Sequence, residues 1–95
     1  MVTILKLRNL LAKHELAVAD YYLRRGAYVA VANRAKYVLE HYPNTPVTPD
    51  ALALMIKSYR ILGMTDLADD SMRVLRDNYP DHPATEVVAG FAVLN

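Results

Sequence analysis

The sequence predicts an all-α fold: a solenoid of two stacked helical hairpins, with an N-terminal helical extension and a short C-terminal helix or tail. Three observations predict it. The chain matches itself at a constant offset of 37 residues, pairing Tyr22 with Tyr59, Gly26 with Gly63, Tyr42-Pro43 with Tyr79-Pro80 and Pro46 with Pro83. Apolar residues recur at helical spacing in both copies, and no segment shows the strict alternation of a half-buried strand. A fixed period of this size marks stacked supersecondary units.

The first copy, about residues 12–43, opens with Leu11, Glu15, Val18, Ala19 and Tyr22 on one helical stripe. Arg24-Arg25-Gly26 ends it, because cations complement the helix C-terminus and glycine tolerates the left-handed conformation. A second helix carries Ala27, Val31, Ala35, Val38 and Tyr42, and Pro43 prevents its continuation. The second copy, about residues 49–80, restarts at Thr48-Pro49-Asp50, read as N-cap, first helical position and dipole-favoured acid. Leu52, Met55, Ile56, Tyr59 and Leu62 form its first stripe, and Gly63 closes it. Thr65 or Asp66 is the expected cap of the next helix, which carries Leu67, Ala68, Met72, Leu75 and Tyr79. Residues 83–95 form a capping segment. Upstream, Ile4, Leu7, Leu10 and Leu11 make an apolar surface suited to an earlier repeat or a partner. The helical hairpin with tyrosine and proline landmarks is tetratricopeptide-like, with a loop about three residues longer than the usual period of ~34.

Composition narrows function by exclusion. Ninety-five residues make one domain at most, and 54% hydrophobic against 22% charged residues describes a folding chain. Zero cysteines exclude disulfides and thiolate chemistry within it. A net charge of +1 is far from that of a dedicated nucleic-acid binder. The charge is unevenly spread: residues 1–47 carry seven Lys/Arg against three acids, and residues 48–95 four against seven. Such polarity can steer a charged partner to one end. No stretch has the ~18 uninterrupted apolar residues of a membrane span, and Lys6 and Arg8 break the N-terminal run, so it is not a secretory signal.

The residues offer no catalytic constellation. His14, His41 and His82 lack ligand spacing, so no metal is expected; His14-Glu15 reads as a helix-surface pair, and His41 and His82 as exposed turn residues. Asp69 and Asp70 are adjacent on a helix and point about 100° apart, so they do not converge as an acid–base pair. Ser58 and Ser71 lie mid-helix without a histidine partner, and Gly26, Gly63 and Gly90 are too scattered to cradle a phosphate. No cofactor and no enzymatic activity are expected. Tyr21, Tyr28 and Tyr37 exceed what the repeat needs; Tyr28 and Arg34 are typical interface anchors.

One string is more specific than the repeat. Leu7-Arg8-Asn9-Leu10-Leu11-Ala12-Lys13-His14-Glu15, Val18-Ala19-Asp20-Tyr21-Tyr22, Arg25-Gly26-Ala27-Tyr28-Val29-Ala30-Val31-Ala32-Asn33-Arg34 and Tyr42-Pro43-Asn44-Thr45 together resemble the C-terminal repeats of the BamD (ComL-like) family of outer-membrane lipoproteins. The resemblance is dense over residues 5–50 and looser to Pro83. It implies a non-enzymatic scaffold on the periplasmic face of the outer membrane, part of a five-repeat array anchored by an N-terminal lipidated cysteine. It further implies docking on a POTRA domain of BamA, contact with other subunits of the barrel-assembly complex and with unfolded outer-membrane proteins, and no nucleic acid. The lipid anchor and first repeats would lie upstream of Met1. The docking surface is expected at Tyr28, Asn33, Arg34 and Lys36, with Arg24 and Arg25 nearby. The alternative is a generic tetratricopeptide module that grips an extended peptide in its concave groove.

Overall fold

The computed structural model describes the backbone of residues 3–94 and the side chains of residues 3–88. Five helices follow one another: α1 (Ile4–Arg24), α2 (Tyr28–His41), α3 (Thr48–Ile61), α4 (Thr65–Asn78) and α5 (Pro83–Leu94). There is no strand among the described residues. Helices α1 and α2 form one hairpin and α3 and α4 the next, α2 packs on α3, and α5 lies against α3. The stack measures 46 × 29 × 18 Å.

The 37-residue register governs the backbone as well as the side chains. Gly26 has φ 73° and Gly63 φ 78°, the left-handed values their helix ends require. Each ends its helix in the same double hydrogen bond. Gly26 N–H donates to Leu23 O and Ala27 N–H to Tyr22 O, as Gly63 donates to Arg60 and Met64 to Tyr59. The second helices end alike, with Tyr42 N–H on Val38 O at 2.9 Å and Tyr79 N–H on Leu75 O at 2.8 Å. Thr48 N–H donates to Thr45 O, and Thr85 N–H to His82 O, so the register carries into the start of α5.

Two clusters joined by Leu39 make the core. One gathers Ala12, Ala35, Val38, Ala51 and Met55 across α1, α2 and α3. The other gathers Leu52, Ile56, Met72, Leu75 and Val88 across α3, α4 and α5. Ile56, at the register position of Ala19, is fully buried.

Several local expectations are corrected. Thr48 is the first residue of α3 and not its cap, which is Val47. Its hydroxyl instead accepts from Thr45 N–H at 3.0 Å, tying down the preceding loop. Neither Thr65 nor Asp66 caps α4; Met64 holds that position without a side-chain bond. Leu67 is exposed on the first turn of α4, away from the core. His82 is half-buried, and its Nδ1 accepts from Ala84 N–H at 3.0 Å, where it serves the start of α5.

Between the two C-terminal alternatives the chain forms a helix, α5; its side chains from Ala89 to Leu94, and Asn95 as a whole, lie outside the described residues. The N-terminal extension is no separate element, since Ile4 to Arg24 is one helix begun by Thr3, whose hydroxyl accepts from Lys6 N–H. Arg8 braces the overhang through a 2.6 Å bond from its Nη2 to Pro43 O. Ile4 is 87% exposed, and Leu5, Leu7, Leu10 and Leu11 are also uncovered.

Ile56→Ala should destabilise the fold by about 2–5 kcal/mol, because it opens a cavity in the cluster that α3 shares with α4 and α5. Urea denaturation followed by circular dichroism checks this.

Candidate partner-docking surface

The flank where α1 meets α2 holds a depression. It has a volume of about 350 Å3 and is lined by Tyr22 from α1 and by Ala30, Asn33, Arg34 and Tyr37 from α2. Helical spacing explains the lining. Residues 30, 33, 34 and 37 are three or four apart and share one face, and Tyr22 sits on the last turns of α1 alongside.

Arg34 is the charged member. Its Nη1 lies 2.9 Å from Glu15 Oε2 across the hairpin, with the two side chains 38% and 21% exposed. The guanidinium also lies 5.6 Å from the Tyr37 ring centre. One face of Arg34 is therefore committed to Glu15, and the remainder is open to the depression. The Tyr37 ring stacks on His41 at 3.9 Å and meets Tyr42 edge-on. The aromatic wall is thus held from behind.

The other expected residues are distributed around this centre. Asn33 is exposed and borders a second depression, lined by Gly26, Ala27, Tyr28, Val29, Ala30 and Leu62. Tyr28 thus joins Asn33 but not Arg34. Arg24 is paired with Asp20 one turn back at 2.6 Å, and Arg25 lies 4.4 Å over the Tyr21 ring. Lys36 is two residues from Arg34 and so points about 160° away around α2, reaching Glu40 at 3.8 Å. The six residues form a centre, a neighbour and two outlying basic groups, not one continuous patch.

Three residues of the site escape the sequence reading: Glu15, Tyr22 as a wall, and Tyr37. Glu15 carried a signal, a carboxylate inside an otherwise apolar helical stripe, which asks for a cation across the hairpin. The register gives a second one. The Glu15–Arg34 pair occupies the positions of Leu52 and Ser71 in the second repeat, so the first hairpin keeps an ion pair where the second buries two uncharged side chains.

No group of three or more His, Asp or Glu that could hold a metal exists among the described residues. No helix among them is long and apolar enough to cross a membrane.

The sequence that builds this helical stack matches one class of protein. The family model "YfiO: Outer membrane lipoprotein" matches residues 1–75, and the chain belongs to that family. Its relatives carry a particular name. The chain is 49% identical over 78 residues to the outer membrane protein assembly factor BamD of Xylella fastidiosa (strain Temecula1), covering 82% of this chain and 27% of that protein. It is 44% identical over 78 residues to BamD of Neisseria meningitidis serogroup A, covering 82% and 29%. To BamD of Haemophilus influenzae it is 42% identical over 72 residues, covering 76% and 28%. The chain thus spans less than a third of the length of these relatives.

A double-mutant cycle over Glu15→Gln and Arg34→Gln should return a coupling of about 0.5–1 kcal/mol, the scale of a partly screened pair. The coupling should shrink with added salt. Thermal denaturation at two salt concentrations measures both.

Proposed function

We propose that the chain is the C-terminal part of a BamD-like lipoprotein, a non-enzymatic scaffold that docks on BamA through a POTRA domain. In that role it supports assembly and insertion of β-barrel proteins at the periplasmic face of the outer membrane. One observation carries the reading. Within the segment matched by the family and its relatives, Asn33 and the open side of Arg34 face a depression walled by Tyr22 and Tyr37. Tyrosine and arginine are the residue types that anchor protein interfaces. A guanidinium already ordered by Glu15 loses little further freedom on binding. The preferred partner group is a carboxylate of the POTRA domain, placed against that guanidinium.

The overhanging stripe of α1 belongs to the same proposal. Val47, Ala51 and Met55 pack α3 into the core cluster shared with α1 and α2, and their register positions on α1 are Leu10, His14 and Val18. With Leu7 and Leu11, this face suits a preceding repeat of the longer protein, packed as the first hairpin packs on α3. Membrane attachment would come from a lipid anchor in that preceding part.

A second reading has its own observation. Leu16, Asp20, Leu54, Lys57, His82 and Val87 border a cleft of about 350 Å3 along the faces of α1, α3 and α5. An extended peptide laid there would make this a peptide-gripping adaptor.

Arg34→Glu should weaken binding to an isolated BamA POTRA domain by at least about tenfold. The double swap Glu15→Arg/Arg34→Glu should restore the hairpin's stability and leave binding lost. Calorimetric titration beside thermal denaturation reads both, and full binding by the swap would refute docking through Arg34.

Titrating the chain with peptides from barrel C-termini separates the two readings. Docking predicts backbone NMR shifts confined to α2 and the end of α1 when the POTRA domain is added, and none in the cleft with the peptides. Shifts centred on Leu54 and Lys57 would favour the groove.

A further inference from the structure

The depression at Arg34 is too small to hold a protein by itself. Only Tyr22, Ala30, Asn33, Arg34 and Tyr37 line it, whereas a stable protein–protein contact covers roughly 800 Å2, or about 20–30 residues, on each side. The contact must run on across a neighbouring surface. Ala30 and Asn33 mark where, because they line two depressions at once. The second has a volume of about 540 Å3 and is walled by Tyr28, Val29 and, from the turn after α3, Leu62, with no charged side chain in its lining. Val29 is 57% exposed and Leu62 half-buried. Elsewhere around the first hairpin, charges already answer one another, Arg24 with Asp20 and Lys36 with Glu40.

The internal repeat shows that the fold does not ask for this apolar surface. Tyr28 and Val29 stand where the second hairpin has Thr65 and Asp66, and Leu62 stands where the first has Arg25. Each turn departs from its counterpart in the apolar direction, and the departures meet around one hollow. Exposed apolar residues scattered singly need no explanation. Two hairpins that each abandon polar residues at the same hollow do.

We propose, on the reading that Arg34 docks a partner carboxylate, that this hollow is the second seat of the same partner and receives one aliphatic or aromatic side chain. The two seats give the partner segment a pattern. Arg34 takes the carboxylate. Asn33, exposed between the depressions, offers a donor and an acceptor to a peptide unit. The hollow at Val29 and Leu62 takes the apolar group, whose burial supplies affinity that a solvent-screened ion pair lacks. One turn of α2, about 5.4 Å, separates Ala30 from Arg34, and alternate residues of an extended strand stand about 6.6 Å apart on one side. An acidic and an apolar residue on the same side of an extended segment, two to four positions apart, therefore reach both seats.

Calorimetric titration of the chain with an isolated BamA POTRA domain, at several temperatures and two salt concentrations, tests the second seat. Val29→Gln and Leu62→Gln should each weaken binding about tenfold. Both should make the heat-capacity change of binding less negative, the mark of lost apolar burial, and leave its salt dependence alone. Arg34→Gln should instead flatten the salt dependence and keep the heat-capacity change. Val74→Gln, which removes a comparably exposed apolar residue from α4, should do neither. Val29 lies on the first turn of α2 with its side chain in solvent, so thermal denaturation of its variant should match the parent chain. Undiminished affinity or an unaltered heat-capacity change in Val29→Gln would overturn the apolar seat, while weakened binding by Arg34→Gln in the same series would leave docking through Arg34 intact. Full affinity in Arg34→Gln beside weakened binding in Val29→Gln would refute docking through Arg34 and retain the apolar seat. A parent chain that binds no POTRA domain would overturn both.

Discussion

A hairpin of two short helices has no inside. Each hairpin here buries one apolar face against the next, and the seam where α2 meets α3 turns two such units into a folded chain. That seam sets Ala35 and Val38 of α2 against Ala51 and Met55 of α3, in one cluster with Ala12 of α1. Alanine lets the helices approach closely, and methionine fills what remains without demanding one rotamer. Leu39 then bridges to the second cluster, where Ile56, Leu75 and Val88 are fully buried. The tyrosine-walled depression of the first hairpin and the cleft along α1, α3 and α5 sit on surfaces whose orientation that seam sets.

The helical stack was legible in the sequence because its signals are backbone requirements. Gly26 and Gly63 occupy left-handed positions that side chains avoid. Pro43 and Pro80 stop helices for want of an N–H and through ring sterics. These residues stand 37 apart because the same hydrogen bonds recur 37 residues apart. Helix starts were less legible, because a hydroxyl has several possible uses. Thr48 has the composition of a cap, yet its oxygen serves Thr45 in the loop before. His82 has the look of a solvated turn residue, yet it accepts from Ala84 N–H.

The candidate surfaces were legible in part. The family string pointed to Asn33 and Arg34, and these two do share a depression. Lys36 stands two residues from Arg34 and so points to the other side of α2, and Arg24 pairs with Asp20, so nearness in sequence does not bring either into the depression. Glu15 was visible as a carboxylate in an apolar stripe, but its partner 19 residues away depends on how the hairpin closes. Leu62 reads in the sequence as the end of the α3 stripe. Only packing shows that it borders the hollow at Tyr28 and Val29, and only the register shows that arginine stands in its place one repeat earlier.

Helix α1 runs 21 residues from Ile4 to Arg24 without a glycine or proline, about 31 Å at 1.5 Å per residue. Its overhang is braced to the α2–α3 loop by Arg8 on Pro43. Glu15, midway along the same rod, holds Arg34 in the tyrosine-walled depression. The helix is therefore a mechanical link as well as a packing element. A neighbour that grips Leu7 and Leu11 and turns the rod also turns Glu15, about 12 Å along the axis from Leu7, and with it the angle at which Arg34 is presented. The overhang at one end and the Arg34 depression at the flank share a single stiff shaft, so the two cannot be oriented independently.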